Sequence, residues 1–350
     1  MLLDCLEKIL RRNSLTVDEA AAVMAEILSG RASPTQAGAL LIALSMKGET
    51  EEELLGMAGA LQDKTYPWNQ FATVDVALSN LETRASVIAA GAEGDRATDA
   101  EPELNFRVTA AAAFVIAGAG GRVVHQSGYM HDEKISPVLA GLGINRQIPK
   151  ENIARGISEV GLGFVTDPLA GDAMQHLRTA YREVPVPTAL DVLLPICNPG
   201  RAPGLVLRAD SSAITETVAG VISRMGARRA FIVMGKDGRS ENATTGPTVI
   251  MEVRDGRIQA NRIEPGDVHS PAGSEGDVGG GDGRDLILPV LRGDKGFSRD
   301  RVLWYAAPGM ILGGQALDFA QGVEVAAHSI DSGAALRVLE RLAEFTHSAV

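Results

Sequence analysis

The chain has 350 residues, enough for a large buried core and for one large domain plus a smaller one, and its 45% hydrophobic and 22% charged residues are ordinary for a soluble globular protein. With 33 basic against 44 acidic residues the net charge is −11, a field that repels nucleic acid and phosphate unless a local patch reverses it. Two cysteines, Cys5 and Cys197, lack metal or redox spacing and read as reduced thiols of a cytoplasmic protein. Charges interrupt the apolar residues of the first twelve positions, so no signal peptide is expected there. The longest run of small apolar residues, 110–121, is too short and glycine-rich to span a bilayer.

Residues 1–66 read as a compact helical unit. Thr16 with Glu19, Ser33 with Gln36 and Thr50 with Glu53 each have the spacing of a capping box. In such a box the hydroxyl accepts from an unpaired amide of the first turn and the acid or amide side chain reaches back. Pro34 suits a first helical position, and Gly30 and Gly48 end the first two helices. A strand is expected at 74–77, then an acidic surface loop over 85–104 and an alanine-rich helix over 109–119. Further elements are a short strand at 122–125 and helices at 136–142, 174–182 and from 188. The second half alternates strand and helix: a strand at 204–206, a helix at 215–225 and a strand at 230–234. A hairpin at 248–260 follows, turning on Asp255-Gly256. Residues 265–285 read as a glycine-rich acidic linker. Two closing helices occupy 300–346, with breaks near Gly313–Gly314 and Ser332–Gly333.

Several segments together resemble the anthranilate phosphoribosyltransferase family, within the nucleoside phosphorylases and phosphoribosyltransferases. Residues 15–61 look like its N-terminal helical domain. Residues 188–199 (TALDVLLPICNP) are similar to its Arg-Thr-x-x-Asn-x-x-Gly-Pro-x-x-Asn-Pro segment. Residues 241–248 (ENATTGPT), Arg299-Asp300 and 330–336 (IDSGAAL) match later stretches. The resemblance implies an α/β fold: a small N-terminal all-helical domain and a large domain with a central, mostly parallel sheet flanked by helices. The expected division is 1–67 for the helical domain, with 168–190 packing on it, and 72–167 plus 191–350 for the larger one. The donor would lie in the cleft between them, and the helical domain would make a homodimer.

The functional residues of the family are largely altered. A pyrophosphate needs bare amides and positive-φ positions, hence a Gly-Thr-Gly-Gly-Asp loop. After the strand this chain has Leu78-Ser79-Asn80-Leu81-Glu82, where side chains and a carboxylate oppose an anion. A second candidate, Gly91-Ala92-Glu93-Gly94-Asp95, places a glutamate in the nest. The Asn-x-Ser-Thr motif falls on Phe106–Thr109, with Asn105 as a shifted stand-in. Lys-His-Gly-Asn-Arg becomes Val124-His125-Gln126-Ser127-Gly128. Asn105, Thr109, His125 and Ser127 are therefore the donor-side candidates, although His125 also reads as a structural hydrogen-bonder.

On the acceptor side the family's histidine falls on Gly171 and its arginine on Tyr181. Arg178, Arg182 and Pro195 are the candidates, the two arginines reading equally well as solvated helix charges. The acidic pair that would hold Mg²⁺ becomes Ser240-Glu241, leaving Glu241 as the metal candidate and Mg²⁺ as the implied cofactor of an active form. Two function classes follow. One is a phosphoribosyltransferase-like transferase with an unknown acceptor, outside tryptophan synthesis. The other is a non-catalytic homodimer that binds a metabolite or a protein. Nucleic acid is disfavoured, because the densest basic stretch, Arg224, Arg228 and Arg229, has no aromatic for base stacking. A pyrimidine nucleoside phosphorylase would need a phosphate-binding Lys and Ser/Thr at the altered loop.

Overall fold

Three reciprocal capping boxes start the first helices after the N-terminal one. The structure is a computed structural model, and it describes residues 1–65, 76–80, 101–126, 132–165, 169, 172–184, 186, 188–196, 202–208, 212–235, 248–254, 257–263 and 284–349. Helix α1 (Leu2–Leu10) was not anticipated as a helix of its own. It is followed by α2 (Val17–Leu28), α3 (Pro34–Lys47) and α4 (Glu51–Asp63). Thr16, Ser33 and Thr50 each accept from the amide three residues on, and Glu19, Gln36 and Glu53 return the bond. Glu53 is fully buried. Its carboxylate accepts from the Leu15 amide (2.9 Å), the Thr50 amide (2.9 Å) and Lys47 Nζ (2.9 Å), tying three helix ends together.

The larger unit is built on β1 (Val76–Asn80), β2 (Val123–Gln126), β3 (Leu162–Val165), β4 (Gly204–Arg208), β5 (Arg229–Gly235), β6 (Thr248–Arg254) and β7 (Arg257–Ile263). They form one sheet in the order β3-β2-β1-β4-β5-β6-β7. The first five are parallel, and β6 and β7 add on as antiparallel strands. Interleaved with them are α5 (Glu101–Gly118), α6 (Asp132–Gly141), α7 (Lys150–Glu159), α8 (Ala173–Glu183), α9 (Ala189–Ile196) and α10 (Ser212–Arg224). After the sheet come α11 (Arg284–Leu291), α12 (Phe297–Leu312), α13 (Phe319–Asp331) and α14 (Ala334–Ser348). The fold is thus a small helical unit joined to a large α/β unit with a mostly parallel sheet.

Side chains alternate across each strand, so the sheet divides the core in two. Val124, Val165, Leu205, Leu207 and Ile232 face a cluster shared with α1–α4, α8, α9 and α10. Val123, Leu162, Phe164, Val206, Phe231 and Val233 face the other cluster, with α5 and α11–α14. The helical unit therefore continues one face of the sheet. Helix α8 docks on it through His176, whose Nδ1 lies 3.2 Å from the Leu28 carbonyl. The ring occupies the space beside Gly30, where a Cβ would collide with it and where φ is +70°.

Several expectations are corrected. Residues 101–104 are not loop: they open α5, eight residues before the expected helix start. The strand expected at 74–77 runs from Val76 to Asn80. Helices α7 and α11 and strand β3 were not foreseen, and the closing segment holds three helices rather than two, because Ser332 and Gly333 end α13 and restart the chain as α14. The expected turn at Asp255-Gly256, the linker up to residue 283 and most of the acidic loop lie outside the described residues.

Candidate functional site

In an open parallel sheet a ligand binds beyond the carboxyl ends of the strands, where the winding reverses direction. Here β1 is followed by β2 and β3 on one side, whereas β4 and β5 lie on the other, so the reversal falls between β1 and β4. Leu78, Ser79 and Asn80 occupy the end of β1. They pair with Val206, Leu207 and Arg208 of β4, and Leu78 also pairs with His125 of β2. Three positions expected in a turn are therefore rungs of a ladder, and backbone groups engaged between strands cannot also form a concave anion nest.

The last two residues of β2 point to opposite faces. His125 faces α5: its Nε2 lies 2.9 Å from Thr109 Oγ1, and that hydroxyl donates to the Phe106 carbonyl at 3.2 Å. The imidazole meets Phe106 edge-on, with ring centroids 5.3 Å apart, and Phe164 at 5.2 Å. His125 is 1% exposed and Thr109 is fully buried. Burial penalises the imidazolium and holds the His125 pKa down at about 3, so the ring is neutral at neutral pH. These two donor-side candidates are brought together, but as part of an aromatic core layer. Asn105 falls in the first turns of α5. Ser127 lies outside the described residues.

Gln126 faces the opposite side. Its Nε2 donates to the Pro195 carbonyl of α9 at 2.9 Å, linking the end of β2 to a helix that packs on α3 and α4. Pro195 lies inside α9 and has no amide to donate to the carbonyl four residues earlier. That earlier residue is Asp191, 1% exposed. Its Oδ1 accepts from Tyr181 Oη of α8 at 3.0 Å, and its Oδ2 from the Thr188 amide at 2.7 Å and the Thr188 hydroxyl at 3.3 Å. Arg178 is half-buried and Arg182 exposed on α8, and both make further polar contacts. The acceptor-side candidates thus share one helix pair, with a buried carboxylate at its centre that sequence reasoning did not single out. The signal was present: counting Thr-x-x-Asn along residues 188–191 ends on an aspartate.

Among the described residues no group of three or more His, Cys, Asp or Glu side chains could hold a metal ion, and Glu241 lies outside them. No helix among them is long and apolar enough to cross a membrane.

A profile of the glycosyl transferase family's a/b domain matches residues 97–336, and one of its helical bundle domain matches residues 3–65. The anthranilate phosphoribosyltransferase of Chloroflexus aurantiacus (strain ATCC 29366 / DSM 635 / J-10-fl) is 36% identical over 347 residues, covering 97% of this chain and 96% of that protein. Its counterpart from Pelotomaculum thermopropionicum is 32% identical over 353 residues, covering 99% and 97%. Among solved structures, the anthranilate phosphoribosyltransferase of Thermus thermophilus superposes with a TM-score of 0.80 at 25% identity, over 98% of this chain and 99% of that one. The Saccharomyces cerevisiae protein, solved in complex with PRPP and Mg, shares the fold with a TM-score of 0.78 at 18% identity, over 99% and 98%.

Proposed function

The chain belongs to the anthranilate phosphoribosyltransferase family of glycosyl transferases, and on that premise we propose that it handles a ribose-phosphate donor outside tryptophan synthesis. Its reaction would displace a leaving group at the anomeric carbon in favour of an acceptor other than anthranilate, from a donor-phosphate site that has been rewritten. The observation that carries this reading is β1, which remains in the ladder through Asn80 where the family's resemblance leads one to expect a glycine turn. The burial of Thr109 and His125 points the same way, since their polar atoms satisfy each other inside the core.

Mg²⁺ is the cofactor suggested by the yeast relative's complex. In this chain Glu241 would be its carboxylate ligand. When bound, the metal would neutralise charge building on the leaving phosphates. Among the described residues no group of three or more His, Cys, Asp or Glu side chains could hold it, and no step is assigned through it.

The burial of the Thr109–His125 pair also favours a second reading, a non-catalytic binding protein that keeps the scaffold. In either reading the chain would be a cytoplasmic homodimer through its helical unit. Leu3 and Leu10 of α1 and Ile42 and Met46 of α3 support that assembly, being large apolar side chains exposed on two helices packed together.

Calorimetry with phosphoribosyl pyrophosphate and Mg²⁺ separates these readings. The rewritten site is expected to bind the donor more weakly than about 10⁻⁴ M, below roughly 5.5 kcal/mol of binding free energy. Micromolar binding followed by turnover with anthranilate would overturn the proposal. Complete absence of donor binding would select the non-catalytic reading.

A further inference from the structure

A cavity of about 40 Å³, partly open to solvent, lies at the edge of the sheet between residues 144–148, α7, β3 and α14. We propose that it binds a small monoanion with an apolar body, of the size of a short branched carboxylate. This site is separate from the cleft at β1 and β4, so the proposal goes beyond the functional reading above and does not depend on it.

Position comes first. Strand β3 is the outermost strand, and β2 and β1 stand between it and the point where the winding reverses. Two strand spacings, about 10 Å, therefore separate the cavity wall from β1. None of the donor-side or acceptor-side candidates lines the cavity.

The walls come second. A Cβ on Gly163 of β3 would lie 2.7 Å from Ile157 Cγ1 and 3.0 Å from Ile153 Cγ2, and one on Gly156 of α7 would lie 3.3 Å from Phe345 Cε1. Helix α7 is thus already drawn close to β3 and to α14, and the space is not slack between loosely packed elements. The fourth wall is tied down as well. The Asn145 amide donates to Thr346 Oγ1 at 3.1 Å, and Asn145 Oδ1 accepts from the Gln147 amide at 2.9 Å. Asn152 Nδ2 donates to the Ala349 carbonyl at 2.6 Å, which fixes α7 to the end of α14. Walls held at this spacing keep the space open rather than collapsing into it.

The lining comes third, and it names the ligand class. Ile153, Leu162, Phe164, Leu342 and Phe345 make most of the surface apolar. The volume has room for about three waters, but a water needs two or more polar partners, and apolar walls supply few. A short hydrocarbon body suits the space better, because displacing poorly held water favours binding. Arg146 is the one charged side chain of the lining, which contains no acid. Its Nε and Nη1 are shielded from solvent. The residue has a further interaction within the chain, so the ligand follows from the sign and burial of the charge. A guanidinium stays cationic at any ordinary pH and presents a fork of N–H donors that matches a carboxylate. Where water is excluded, that attraction is stronger than at an open surface. An apolar body therefore brings the ligand in, and the negative end orients it.

The test is methyl NMR on the full chain labelled at the isoleucine δ1 positions. Ile144, Ile148 and Ile153 line the cavity, whereas Ile9 and Ile27 lie in the helical unit and serve as controls. Isobutyrate, its uncharged isostere isobutyramide and inorganic phosphate are titrated separately at neutral pH. Isobutyrate is expected to move the three cavity methyls saturably and to leave the controls still. Isobutyramide should bind at least about tenfold more weakly, and phosphate, which has no apolar body, should not bind there. Arg146→Gln should erase the preference for isobutyrate over isobutyramide. If that variant fails to fold, by circular dichroism, the wild-type preference alone decides. The proposal is overturned if isobutyrate gives no saturable shift at the cavity methyls or moves Ile9 and Ile27 equally. Equal binding of isobutyramide, phosphate binding as tight as that of isobutyrate, or an unchanged preference in Arg146→Gln would also overturn it.

Discussion

His125 shows how burial decides what a residue can do. An imidazole at a strand end reads from sequence as a possible ligand group. In the fold it lies between Phe106 and Phe164 and touches Thr109, in a layer that excludes water. Its pKa of about 3, against 6.5 for the ordinary group, makes it a stability element with a defined pH dependence. Between those values the unfolded chain binds a proton that the folded chain refuses. The contribution is complete above about pH 6.5 and is lost as the pH falls toward 3, at up to about 1.4 kcal/mol per pH unit. His125→Gln keeps an amide near Thr109 and removes the titration. Urea denaturation at several pH values between 4 and 7 should show a shallower acid loss in the variant than in the wild type. Identical slopes would mean that His125 is hydrated in solution.

At the scale of the element, glycines in α4 separate packing from propensity. A Cβ on Gly56 would run into the Val17 carbonyl, the Ala20 methyl and the Ala21 amide of α2, so α2 and α4 approach to backbone contact at that point. Gly59, one turn later, has nothing within 4 Å. Gly56→Ala should destabilise the chain by about 1–3 kcal/mol through overpacking. Gly59→Ala should stabilise it by about 0.5–1 kcal/mol, because alanine restricts the unfolded backbone at a position that accommodates it. Thermal melts of the pair would show opposite shifts, and a common sign would contradict the close approach. The capping boxes belong to the same scale. They were legible because each cap uses residues three apart, and local hydrogen bonds need no tertiary partner. Helix α7 and strand β3 escaped notice because a short amphipathic helix and a four-residue strand gain their stability from packing, here against α14 and β2.

For the molecule as a whole, the core of the helical unit runs without a break into one face of the sheet. Arg224 of α10 adds an exposed bridge to Glu51 of α4 at 3.2 Å, of a kind worth less than about 1 kcal/mol. The joint therefore depends on the apolar contacts and docked helices, including α8 beside Gly30, far more than on that ion pair. The exposed apolar residues of α1 and α3 then become the surface to probe for self-association. Sedimentation equilibrium should find a dimer, and Leu10→Glu combined with Met46→Glu should shift it to monomer without lowering the thermal midpoint of the monomer. A monomeric wild type would remove the assembly from the proposal.

Residue order alone carried the capped starts of α2, α3 and α4, the strand-helix alternation of the second half and the family resemblance, since these depend on local hydrogen bonding, periodicity and motif spacing. Only the tertiary structure revealed that Leu78, Ser79 and Asn80 extend a central strand, because pairing with β4 comes from residues more than a hundred positions away. Nor could spacing reveal that Tyr181, Thr188 and Asp191 converge on one buried carboxylate beside a proline inside α9. Whether a polar side chain meets solvent, a ligand or another polar group is settled by the direction in which two packed elements turn it, and that direction exists only after folding.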